Sequence, residues 1–106
     1  MDFEAKIEEI KADIGANPVM LYMKGNKDFP MCGFSAQVVS ILNAVGANYE
    51  TRNVLEDQVL REAIKMHANW PTIPQLYING NFVGGCDIVT ELYQEGDLQE
   101  MLPATE

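Results

Sequence analysis

The sequence predicts an α/β fold in which a mixed four-stranded sheet carries helices on both faces. Three observations point there. The apolar run Val19-Met20-Leu21-Tyr22-Met23 is short enough for a buried strand and lies between stretches of helical periodicity. Gln75-Leu76-Tyr77-Ile78 and Asn81-Phe82-Val83 flank Asn79-Gly80, a pair suited to the two positive φ angles of a type I′ hairpin turn. The element signals run in the order α-βαβα-ββα, which calls for one parallel pair joined by a helix and one antiparallel hairpin. With 106 residues, 47% of them hydrophobic, the chain suits one domain, 1–106, that buries roughly two-thirds of its unfolded surface. No repeat, low-complexity tract or linker interrupts it.

Phe3, Ile7, Ile10 and Ile14 recur at steps of four, three and four among charged neighbours, which reads as an amphipathic first helix stopped by Gly15 to Pro18. Val19 to Met23 follows as the central strand, and Lys24-Gly25-Asn26-Lys27-Asp28-Phe29-Pro30 as a polar loop. A helix is expected from about Phe34 to Val45, closed by Gly46-Ala47-Asn48. Tyr49 to Val54 carries β-formers, with Glu50 and Arg52 marking one wet face. Asp57 offers an N-cap for a helix through about His67, with Leu60, Ile64 and His67 on one side. After the hairpin and Gly84-Gly85, a helix from Asp87 to Gln94 places Ile88, Val89, Leu92 and Tyr93 in one stripe. Asp97 offers a cap for a last short helix to Leu102, where Pro103 stops it.

The net charge of −9 argues against nucleic acid and anionic membrane as partners, because each phosphate contact needs a cation. No apolar run approaches the roughly 20 residues that span a bilayer. The start, Met1-Asp2-Phe3-Glu4, has neither a basic leader region nor an Arg-rich transit character, so a cytoplasmic, reducing location is expected. Cys32 and Cys86 are then free thiols.

The chemistry centres on Phe29-Pro30-Met31-Cys32-Gly33-Phe34-Ser35, where a strand signal gives way to a helix signal. A cysteine at a helix N-terminus faces unpaired amides and the positive end of the dipole, which favours thiolate over thiol. Such a group is a nucleophile or a metal ligand. Ser35 stands where dithiol oxidoreductases place a second cysteine, and a hydroxyl is too weak an acid to resolve a mixed disulfide. Its place suits helix capping or a hydrogen bond to the sulfur. Lys24 should lie near the sheet end where the Cys32 loop begins, the end at which α/β sheets place ligands. His67 reads as a packed core or boundary residue, Trp70 as a shield for its turn or a neighbour of the cysteine, and Tyr22 and Phe34 as core or rim.

Cys32-Gly33-Phe34-Ser35 resembles the CGFS signature of the monothiol glutaredoxins. Lys24, Trp70-Pro71-Thr72-Ile73-Pro74-Gln75 and Gly84-Gly85-Cys86-Asp87 match in the same order, so the resemblance covers nearly the whole chain. It implies a thioredoxin-like fold and a glutathione site in which Lys24 and Arg61 hold the glycine carboxylate, a role suited to a guanidinium fork. It implies a cis bond before Pro74, where residue type alone favours trans, since cis X-Pro bonds make up only about 5–6%. Ile73 would then offer its backbone N–H and C=O to an extended peptide ligand. Cys86 takes a backbone role at the γ-glutamyl end, the alternative being a second sulfur beside Cys32. Asp87 serves as N-cap, as acceptor for the ligand ammonium, or as both, and the two glycines let backbone approach the ligand.

A [2Fe–2S] cluster takes four thiolate donors, and Cys32 is the one this chain offers. Two chains and two glutathione thiolates complete the set, giving a homodimer bridged by the cluster. The resemblance implies cluster carriage in iron–sulfur assembly and iron homeostasis, with a BolA-type protein and acceptor apoproteins as partners. The alternative is a glutathione-dependent oxidoreductase acting on mixed disulfides. The Gly25 to Met31 loop, longer than in dithiol relatives, would hinder that chemistry. A third reading keeps the fold as an adaptor without either activity.

Overall fold

The computed structural model describes residues 2–103; Met1 and residues 104–106 of the expected domain lie outside the described residues. Along the chain run α1 (Phe3–Ala16), β1 (Val19–Met23), α2 (Gly33–Ala44), β2 (Glu50–Asn53) and α3 (Gln58–Ala68). They are followed by β3 (Gln75–Ile78), β4 (Asn81–Gly84), α4 (Cys86–Glu95) and α5 (Asp97–Met101). The strands form one sheet in the order β2-β1-β3-β4. β1 runs parallel to β2 and antiparallel to β3, and β3 pairs antiparallel with β4, so the sheet is mixed as expected. This is the thioredoxin-like arrangement.

Strand alternation sorts the core into two layers. From β1, Val19, Leu21 and Met23 join Leu76 and Ile78 of β3 against Val38, Val39, Ile41 and Leu42 of α2, with Val89 and Leu98 behind them. Met20 and Tyr22 point the other way, with Tyr77, onto Ile10 and Ile14 of α1 and Leu60, Ala63 and Ile64 of α3. All five residues of β1 are buried, which explains an apolar run without alternation. The hairpin turns through Asn79 at φ 52° and Gly80 at φ 83°, the two positive angles its sequence asked for.

Several boundaries differ from the expected ones, each for a local reason. Gly15 lies inside α1; the helix stops because Asn17, next to Pro18, is held extended at φ −124° and ψ 114°. Asp57 caps α3 as expected, accepting from the Leu60 N–H at 3.0 Å. Asp87 and Asp97 do not cap their helices. Gly85 and Gly96 occupy the N-cap positions, which leaves both carboxylates in the first turn, where the dipole favours them.

Candidate functional site

Cys32 is the N-cap of α2, held extended at φ −156°, so its side chain sits at the mouth of the helix. Burial pushes its thiol up. The polar groups of Ser35 and Phe34 at the start of α2 and the charge of Lys24 outweigh this and lower its pKa from the ordinary cysteine value. Ser35 is fully buried and is no cap: its Oγ accepts from the Lys24 N–H at 3.1 Å. The hydroxyl therefore ties the end of β1 to the first turn of α2, next to the thiol.

The loop between β1 and α2 is a small folded unit. Gly25 and Pro30 form an antiparallel bridge, and Asn26 caps its turn by accepting from the Asp28 and Phe29 amides at 2.9 Å. Two outside anchors hold it. Asn53 Oδ1 accepts from the Gly25 N–H at 3.0 Å, and Lys27 Nζ reaches the Tyr49 carbonyl at 2.7 Å while lying 4.5 Å from the Tyr49 ring centre. Fixing the loop this way leaves Phe29, Met31 and Phe34 exposed around Cys32, at 75%, 69% and 64%. Phe34 is thus rim, whereas Tyr22 is core, as either reading of the pair allowed.

A cavity of about 410 Å³ opens beside Cys32, a size usual for small-molecule sites. Lys24, Cys32, Arg61, Ile73, Cys86 and Asp87, dispersed along the sequence, all line it. The Ile73–Pro74 bond is cis, as the resemblance implied. Neither the N–H nor the C=O of Ile73 finds a hydrogen-bond partner among the described residues, so an edge of backbone faces this region unpaired. Gly85 lines the cavity and is also confined by the fold itself. A Cβ at Gly85 would lie 3.1 Å from the Pro74 carbonyl oxygen, so that residue is small to let its turn close on the cis-proline loop. Cys86 Sγ lies 4.0 Å from Thr90 Oγ1 on its own helix.

Lys65 escaped the sequence reading. It lies one helical turn beyond Arg61 on α3 and lines the same cavity, with Glu62 Oε2 3.1 Å from its Nζ. The i, i+4 spacing from Arg61 was the available signal. Among the described residues, Lys24 and Arg61 make no ion pair, while the other five cations of the chain do or, for Lys27, bond a carbonyl. Trp70 lines the cavity with its ring centre 5.6 Å from that of Phe82, and its Nε1 is buried without a partner among the described residues. His67 is a boundary residue, 5.9 Å from the Tyr77 ring, and burial holds its pKa down.

A glutaredoxin family profile matches residues 19–83. An uncharacterised monothiol glutaredoxin (ycf64-like) of Synechocystis is 56% identical over 99 residues, covering 93% of this chain and 90% of its own. Glutaredoxin 4 of Escherichia coli K12 is 48% identical over 99 residues, covering 93% and 86% respectively. The solution structure of reduced poplar apo GrxS14 matches with a TM-score of 0.78 at 49% identity, covering 88% of this chain and 85% of that one. The chain belongs to the glutaredoxin family, and these relatives, with Ser35 in place of a second motif cysteine, set it in the monothiol branch.

Proposed function

We propose that the chain binds glutathione in the Cys32 cavity and carries a [2Fe–2S] cluster between two protomers, for iron–sulfur assembly and iron homeostasis. One electrostatic observation carries the reading. In a chain of net charge −9, three of the seven Lys and Arg residues, Lys24, Arg61 and Lys65, line the cavity beside a thiol whose pKa is lowered. Glutathione brings two carboxylates, an ammonium, a thiol and peptide groups. The cations suit one carboxylate, the amides at the start of α4 the other, Asp87 the ammonium, and the unpaired edge of Ile73 the peptide.

The cluster is cargo, and the donor count decides how it is held. Among the described residues, no three His, Cys, Asp or Glu side chains gather to hold a metal. Four thiolates are then met by Cys32 from each of two protomers and by two glutathione thiols. Phe29, Met31 and Phe34 supply the apolar surface that a second protomer or a BolA-type protein would cover. Donors borrowed from small molecules at such an interface favour transfer to acceptor apoproteins over storage, and the setting we infer is the cytoplasm. Anaerobic reconstitution with ferrous iron, sulfide and glutathione tests this. Visible absorption and a dimer are expected, both lost on omitting glutathione or in Cys32→Ser; a colourless, monomeric wild type overturns the reading.

The lowered thiol pKa also favours a second reading, monothiol exchange. Cys32 thiolate attacks the glutathione sulfur of a mixed disulfide, and the target thiolate leaves. A second glutathione thiolate then attacks that sulfur, freeing Cys32 and forming glutathione disulfide. Turnover of a glutathione mixed disulfide without iron, at rates comparable to a dithiol relative, would favour it over cluster carriage.

A further inference from the structure

Gln75 is an amide on the face of β3 that otherwise packs against the apolar layer of α1 and α3, and it is fully buried. A buried amide is tolerated only when its donors and acceptor are met. Here they are. Nε2 donates to the carbonyls of Trp70 and Thr72, each at 3.2 Å, and Oε1 accepts from the Tyr77 hydroxyl at 3.0 Å. The two carbonyls sit either side of Pro71, so the chain curls around one side chain just before it presents Ile73 to the cavity. Tyr77 is itself fixed, its ring edge-on to Tyr22 at 5.8 Å and tilted against Phe82 at 5.4 Å. Phe82 in turn backs the Trp70 indole.

We propose that Gln75, braced by Tyr77, is a positioning residue that sets the Trp70–Ile73 wall of the cavity, and so glutathione affinity, without touching the ligand. The ligand part rests on the function proposed above. An aliphatic residue would satisfy the surrounding core equally well, but it would leave two carbonyls unpaired and the loop held only by its ends. Cys32 is polarised from α2 and Lys24, on separate elements, so its thiol should not respond to the loss.

The test compares wild type with Gln75→Leu and with Tyr77→Phe, which removes only the hydroxyl. Three readouts are followed: glutathione affinity, quenching of Trp70 fluorescence by acrylamide, and the pH profile of Cys32 alkylation. Trp70 is the sole tryptophan, so its signal reports on this wall alone. Expected are roughly tenfold weaker glutathione binding for Gln75→Leu and about threefold for Tyr77→Phe. Quenching should rise in both variants and the alkylation profile should stay in place. Wild-type affinity and quenching in a folded Gln75→Leu overturn the proposal, as does an alkylation profile that moves along with affinity. If Gln75→Leu does not fold, Tyr77→Phe decides by the same readouts. If wild type fails to bind glutathione, the proposed function falls, and the quenching comparison alone upholds or overturns the clamp.

Discussion

At Cys32 the opposing influences on the thiol can be separated by substitution. Ser35→Ala and Lys24→Ala should each move the midpoint of Cys32 alkylation to higher pH, as measured by iodoacetamide kinetics against pH. The sign for stability follows. Since the folded thiol ionises below its unfolded value of about 8.5, the stabilisation is fully present above that value and is lost as pH falls through the folded one. Urea unfolding of reduced protein should show wild type gaining on Cys32→Ser as pH rises towards about 8.5. The sequence already placed a reactive cysteine at a helix start, because turn residues and periodicity are local signals. It left Ser35 between two roles, since which group its hydroxyl meets depends on where the end of β1 lies.

Among the elements, α3 carries two of the cavity cations and owes its start to one side chain. Asp57 caps the helix and also accepts from Lys6 Nζ at 2.7 Å, tying α3 to α1. Asp57→Ala should cost about 1 kcal/mol in urea unfolding, most of it from the lost cap, since the partly exposed ion pair adds little. Hydrogen bonding to Lys6, then to the Leu60 amide, lowers the Asp57 pKa. Its contribution is therefore present above the unfolded carboxylate value of about 3.9 and is lost as pH falls through the folded one. The gap between variant and wild type should be open at neutral pH and close in acid. The cap was legible from Asp57 ahead of an amphipathic run. The caps of α4 and α5 were misassigned because glycine at φ 83° or in an extended turn can start a helix as well as an acid can, and only backbone geometry tells them apart.

For the whole molecule, the sheet is the part that every site segment leans on. Leu21 lies at the middle of β1, buried between β2 and β3 and packed into the α2 layer. Leu21→Ala should cost about 2–5 kcal/mol, a large share of the roughly 5–15 kcal/mol typical of a domain. Its denaturation midpoint should fall accordingly in urea unfolding. By itself the sequence determined the order of elements, the hairpin with its Asn79-Gly80 turn and a thiol at the start of α2, because periodicity, turn chemistry and helix ends are written within a few residues. Only the tertiary structure decided that Lys65 joins Lys24 and Arg61, that Gly85 closes on Pro74, and that Gln75 holds the Trp70 loop. Those contacts depend on where α3, the turn after β4 and the buried amide of Gln75 come to lie around the Trp70–Pro74 segment, which sequence spacing alone does not state.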